Sequence, residues 1–112
     1  MDTQLNYQTL IKNIINEQAQ YKPVYGEIES HVVFDDVHAR YALLEIGWDK
    51  KKYIHDCIIH VELINDKIWI QFDGTEEGIA TYLLEAGVPN NDIVLGFHHV
   101  KMRQYTEFAS VC

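Results

Sequence analysis

Residues 67–87 read KIWIQFDGTEEGIATYLLEAG, and this stretch decides the fold. In its first six residues Ile68, Ile70 and Phe72 alternate with Lys67, Trp69 and Gln71. A period of two belongs to a half-buried strand. Asp73-Gly74 breaks the extended chain, because Gly tolerates backbone angles that other residues avoid. Thr75 is the candidate N-cap of a following helix, with Glu76 and Glu77 expected in its first turn, where carboxylates favour the positive end of the helix dipole. Ile79, Ala80, Leu83 and Leu84 recur at helical spacing as one apolar stripe. Gly87 suits the left-handed position after the helix, and Pro89 prevents its continuation. A helix start can hold a phosphate, but two glutamates and no Lys or Arg in this loop argue against one here.

Working outward, the hairpin before this strand is the next firm element. Asn65-Asp66 separates the run 67–72 from a long strand at about 52–64, and both residue types tolerate the positive φ that a type I′ turn requires. Regular alternation in that long strand puts Cys57, Ile59, Val61 and Leu63 on one face, and Ile54, Ile58 and Ile64 on the other with Asp56, His60 and Glu62. Residues 49–51 turn the chain back to a strand at about 39–48. Ala42, Leu44, Ile46 and Trp48 line one of its faces, Tyr41 and Leu43 the other, and Gly47 marks a bulge or a close backbone approach. The polar turn 35–38 leads back to a strand at 27–35, with Ile28, Ser30, Val32 and Phe34 on one side and Glu29, His31 and Val33 on the other. Short turns throughout predict an antiparallel meander of four strands, since parallel strands need longer crossovers.

Before the meander, residues 2–22 carry Tyr7, Leu10, Ile11, Ile14, Ile15 and Ala19 at helical spacing, and Pro23 ends the helix. After Pro89 the run Ile93-Val94-Leu95 is either a small extra strand or an extended segment packed on the core. Met102, Tyr105 and Phe108 are further anchors for a C-terminal tail. The predicted class is therefore α+β: an N-terminal helix, a four-stranded antiparallel meander, a second helix and an extended tail, in one domain spanning residues 1–112.

Composition is that of an ordinary globular chain, with 47% hydrophobic and 23% charged residues. No run of about 18 apolar residues occurs, so no membrane span is expected. The opening MDTQLNYQ has no basic segment followed by an apolar one and predicts no signal peptide. Two cysteines, Cys57 and Cys112, form no disulfide framework, and the expectation is reduced thiols in the cytoplasm. A net charge of −8 argues against autonomous, tight DNA binding, because phosphate neutralisation supplies much of such affinity. The only basic run, Lys50-Lys51-Lys52, sits in a turn and reads as a solvated loop.

Two central strands carry apolar residues on both faces, and two helices cover only one face of a small sheet. An antiparallel sheet with a solvated face should alternate more cleanly. Either the tail covers the second face, or another chain does, a homo-oligomer included.

Six histidines invite a metal hypothesis: His31, His38, His55, His60, His98 and His99. His55 and Cys57 can share a side, but regular geometry sends His60 to the other, and no HExxH, CxxC or HxH spacing occurs. Cys57 with a histidine is the one nucleophilic arrangement to name, on a central strand where a thiol is usually inert packing. The pairs Asp35-Asp36 and Glu76-Glu77 read as turn and helix-start residues. No metal, cofactor or catalytic residue is predicted, and the residues point to an acidic interaction module.

Several stretches resemble the XisI family, the fdxN element excision controlling factor proteins of cyanobacteria and some other bacteria. They are Tyr25-Gly26-Glu27, Gly47-Trp48, HDCIIH at 55–60, KIWIQ at 67–71 and GTEEGIA at 74–80. GVP at 87–89, DIVLGFH at 92–98, Arg103, Tyr105-Thr106 and Phe108-Ala109 continue the match. The resemblance implies a non-enzymatic regulatory protein that acts with an XisH-like partner in control of site-specific excision of a DNA element. Trp48, Trp69, Phe97, His98 and Arg103 are the expected partner-binding residues. The alternatives are a DNA-contacting accessory factor using residues 50–52 and Arg103, or a small metal-dependent hydrolase using His55, Cys57 and His98.

Overall fold

The computed structural model describes residues 3–21, 26–98 and 108–109. Helix α1 (Thr3–Gln18) is followed by strands β1 (Glu27–Asp35), β2 (Arg40–Asp49), β3 (Lys52–Ile64) and β4 (Lys67–Asp73). Helix α2 (Ile79–Glu85), a single 3-10 turn at Asn90–Asp92 and strand β5 (Ile93–Leu95) complete the order. The strands form one sheet in the order β1-β2-β3-β4-β5. The first four are the expected antiparallel meander, and β5 adds a short parallel edge beside β4, with Ile93 opposite Ile68 and Leu95 opposite Ile70. The crossover through α2 supplies the length a parallel return needs.

Both helices lie on one face. Tyr7, Ile11, Ile14 and Ile15 of α1 and Ile79 and Leu83 of α2 pack against Tyr41, Leu43, Ile59, Val61, Ile68, Ile70 and Ile93. Ile59, Val61, Ile68, Leu83 and Ile93 are fully buried there. Phe108 packs against the same core, and Ala109 N–H donates to the Ile93 carbonyl at 2.9 Å. This described part of the tail therefore lies along the β5 edge and the helix side of the sheet. α1 stops at Gln18, short of the expected residue 22, and Pro23 lies outside the described residues.

Two bulges change which side chains share a face. Leu43 pairs with Ile59 but Leu44 pairs with Cys57, so Ile58 has no partner on β2. His60 pairs with Phe72 but Val61 pairs with Ile70, so Gln71 is the extra residue on β4. A bulge reverses the alternation beyond it. Cys57 is thereby moved off the Ile59-Val61-Leu63 face, Ile54 is moved onto it and buried, and Phe72 is turned away from Ile68 and Ile70. Gly47 is not bulged. A Cβ there would sit within 2.0 Å of the Glu27 carbonyl oxygen, so the close-approach alternative is the one realised.

The loop into α2 also differs from the expectation. Asp73, not Thr75, organises it: its carboxylate accepts from Thr75 N–H at 2.9 Å, Thr75 Oγ1 at 2.6 Å and Ile79 N–H at 2.7 Å. Gly78 at φ 89 is the N-cap residue, and Thr75 Oγ1 accepts from its N–H at 3.1 Å. Glu76 and Glu77 consequently lie before the helix rather than in its first turn. The Asp73 carboxylate competes successfully for the N–H groups that would otherwise start a longer helix. The far end is as expected. Gly87 at φ 98 donates to the Leu84 carbonyl and Val88 N–H to the Leu83 carbonyl, a Schellman pair closed by buried Leu83 and Val88. Asn65 and Asp66 take φ 51 and 64, the paired left-handed angles of the predicted hairpin turn.

Candidate functional site: the open face of the sheet

The face opposite the helices is built by alternation from β1 to β4. Glu29, His31, Val33 and Asp35 come from β1, and Arg40, Ala42, Leu44, Ile46 and Trp48 from β2. Tyr53, His55, Cys57, His60 and Glu62 come from β3, then Trp69 and Phe72 from β4. Ala42, Leu44 and Ile46 form a half-buried apolar column down the middle. Around it Val33 (50% exposed), Phe72 (49%), Trp48 (52%) and Tyr53 (52%) leave large apolar surface in solvent. A small domain rarely leaves such a contiguous field open unless something docks on it.

The field has a polar border. Glu62 accepts from Arg40 Nε at 2.9 Å and from Gln71 Nε2 at 3.0 Å, with His60 Nε2 at 4.0 Å. Beyond this cluster the face closes, with Trp69 half-buried and Val94 fully buried opposite it. At the other end Trp48 packs against Tyr53, ring centroids 5.0 Å apart, beside the exposed turn of Lys50, Lys51 and Lys52.

The expected partner-binding residues are not one patch. Trp48 and Trp69 share the face but lie at its opposite ends, roughly 25 Å apart at about 3.3 Å per residue. Phe97 is 51% exposed just past β5, its ring 4.8 Å from half-buried His98. Arg103 lies outside the described residues. Sequence reasoning missed Phe72, whose alternation placed it in the core, and Tyr53. The exposed Trp48–Tyr53 pair has a signal in the chain: two aromatics bracketing a turn of three lysines.

The histidine geometry is also corrected. The bulge at Ile58 returns His60 to the face that carries His55 and Cys57, which pair in turn with Ala42, Ile46 and Leu44. The three are strung along one strand, and among the described residues no three His, Cys, Asp or Glu side chains converge as a metal site. Cys57 is exposed rather than packed in the core, and its Sγ donates to the Ile59 carbonyl at 3.4 Å. Partial burial pushes its thiol pKa up, which keeps it from acting as a ready thiolate.

A shallow cavity of about 400 Å³ lies on the helix side, lined by Gln18, Tyr21, Thr75, Glu76, Glu77 and Tyr82. Its carboxylates repel anions, and the Thr75 hydroxyl in it is engaged with the Asp73 carboxylate in the loop into α2. The turn between β1 and β2 is knitted structurally. Asp36 accepts from Lys12 Nζ at 2.9 Å and from Tyr41 OH at 2.9 Å, and Asp35 holds His38 Nδ1 at 2.7 Å. Both acidic neighbours are thereby held within the turn.

The sequence model of a family described as XisI protein matches residues 1–110. The chain belongs to the XisI family. The fold agrees with solved members. A crystal structure of fdxN element excision controlling factor XisI from Anabaena variabilis ATCC 29413 is 34% identical, with a TM-score of 0.85. The match covers 98% of this chain and 100% of that one. A XisI-like protein from the same organism is 31% identical with a TM-score of 0.88, over 95% of this chain and 97% of the other. No curated protein matches the chain. Across the described residues, no helix of this XisI family member is long and apolar enough to cross a membrane.

Proposed function

We propose that this chain is a non-enzymatic regulatory protein acting with an XisH-like partner in the control of site-specific excision of a DNA element. The observation that carries the reading is the open face: Val33, Leu44, Ile46, Trp48, Tyr53 and Phe72 form an apolar field that neither helix covers. Its composition suits a protein partner, with exposed aromatics around a half-buried aliphatic centre and a hydrogen-bonded polar rim at Glu62. A net charge of −8 directs the protein toward another protein rather than toward DNA. The membership of a family whose solved relative is named an excision controlling factor supports the regulatory role.

The test is co-expression with the XisH-like protein of the same genome. Co-elution at physiological salt, abolished by Leu44→Asp and unaffected by Lys12→Ala, is the expected result. Two separate peaks with the unaltered chain would overturn the reading.

A second reading, a DNA-contacting accessory factor, draws on one observation. The exposed Trp48–Tyr53 pair stands at the base of the Lys50–Lys52 turn, an aromatic platform beside three cations. It requires binding to the ends of the element that weakens steeply with salt and is lost on replacing the three lysines.

A further inference from the structure

We infer that two copies of this chain join through their β1 strands, antiparallel about a two-fold axis at Ser30, to make one continuous ten-stranded sheet. This goes beyond the proposed function and does not depend on which partner the open face takes.

β1 is one edge of the sheet. The opposite edge is partly occupied, because Ala109 N–H bonds to Ile93 of β5. Among the described residues nothing pairs with the outer side of β1. Soluble proteins normally protect such an edge with a proline, a lysine, a bulge or a very short strand. β1 has no proline, lysine or bulge and is not short; the charges it carries are Glu27, Glu29 and Asp35, which a paired register must keep apart. Its sequence EIESHVVFD contains no Pro and no Lys, runs nine residues, and pairs with β2 in an unbroken register from Glu27 to Asp35.

The occupant follows from the register. In a two-fold antiparallel pair, directly opposite residues must share a face, so the axis passes through a residue of β1. An axis at Glu29 sets two glutamates face to face. An axis at His31 sets Glu27 against Asp35 twice, and one at Val32 sets Glu29 against Asp35 twice. Like charges directly opposite destabilise a strand pair. An axis at Val33 has no such clash but leaves only residues 31–35 in register.

The axis at Ser30 alone combines length with complementarity. Residues 27–33 of each strand pair, and Glu29 faces the partner's His31 on both sides of the axis. On the helix side Ile28 faces the partner's Val32, which is 40% exposed in the single copy. Within one copy Glu29 Oε2 lies 3.4 Å from His31 Nε2 and both side chains are exposed, so the two groups are compatible neighbours on this face of the edge strand. Glu27 meets Val33, and no acid meets an acid. The net charge of −8 on each copy, with His31 counted as neutral, opposes association at long range, but salt screens it over about 8 Å at physiological ionic strength, whereas each Glu29 carboxylate accepts a hydrogen bond from the partner's His31 ring N–H in direct contact. The axis is perpendicular to the sheet, so both open faces point the same way and become one surface of doubled width.

The experiment is sedimentation equilibrium of the full chain at physiological salt, from micromolar to millimolar protein. A monomer–dimer equilibrium is expected. His31→Glu, which places two glutamate pairs across the axis, is expected to weaken the dimer about tenfold or more. Glu29→Lys should weaken it as well. The double variant E29K/H31E replaces each Glu–His contact by a lysine–glutamate pair and is expected to return the dissociation constant to within a few-fold of the original. Circular dichroism checks that each variant folds. A chain that stays monomeric throughout the range overturns the inference. So does a dimer indifferent to His31→Glu, which would join through another surface, or one not rescued by the double variant, which would use another register.

Discussion

Leu44 of β2 lies opposite Cys57 of β3, while its neighbour Leu43 lies opposite Ile59. The unpaired Ile58 between them shifts every residue from Lys52 to Cys57 by one step of the pleat. The apolar column of Ala42, Leu44 and Ile46 is therefore flanked by His60, Cys57 and His55, where an unbroken register would set Ile58 beside Leu44 and Asp56 beside Ile46. That substitution of neighbours leaves a mixed apolar and polar surface on this face.

This relationship predicts the reactivity of Cys57. In a Cys112→Ser background the folded protein should react with a maleimide at Cys57 without denaturant, because the thiol is exposed. The rate should lag behind that of a free thiol at neutral pH and climb as pH rises, since burial holds the thiol pKa above its ordinary value. Labelling that requires urea would contradict the bulge. If the open face binds the partner, prior complex formation should also protect Cys57.

Asp73 is expected to matter more for stability than the residue a sequence motif would select. Its carboxylate holds Thr75 twice and the first N–H of α2. Asp73→Ala should cost about 2 kcal/mol in urea unfolding, near the upper end of measured cap losses. Thr75→Val removes a hydroxyl that links Asp73 to Gly78 and should cost about half as much. Equal losses would mean the two side chains act as one unit.

Acid sensitivity should trace in part to Asp36. Hydrogen bonds from Lys12 and Tyr41 lower its folded pKa below the ordinary 3.8. A carboxylate held below its unfolded pKa adds stability that is complete above that value and disappears as pH falls through the folded pKa. Asp36→Asn should therefore destabilise the protein at neutral pH and flatten the acid limb of its stability curve below about pH 4. Thermal melts of both forms across pH 2–7 provide the check, and parallel curves would assign the acid limb to other carboxylates, Asp35 beside His38 among them.

Glu45 should behave in the opposite sense. Burial, and then the charge of Asp56 on the next strand, raise its pKa above the ordinary 4.5. Its ionised form is thus disfavoured in the folded state, a penalty absent below the unfolded pKa and growing as pH rises through the folded one. Glu45→Gln is expected to stabilise the protein by a few tenths of a kcal/mol at neutral pH, solvent screening keeping the effect small, and to leave stability unchanged in acid.

The amino-acid sequence by itself determined the features that depend on a few neighbouring residues. The Ile11-Ile14-Ile15 stripe of α1, the Asn65-Asp66 hairpin, the Gly87 helix stop and the meander of four strands were all legible, because backbone preference and short-range periodicity act locally. The tertiary structure alone decided which residues face which way. Ile58 and Gln71 bulge because β3 must satisfy β2 on one side and β4 on the other, and neither strand's own alternation records that compromise. The same holds for Asp73, which caps a helix six residues away only once the loop brings its carboxylate to the Ile79 N–H. Trp48 and Trp69 are both expected partner-binding residues in the chain, and three-dimensional packing separates them into an exposed end and a half-buried end of one face. Local rules make the elements, and the competition between neighbouring strands for register exposes Cys57 and Phe72 on the face that carries half-buried Leu44.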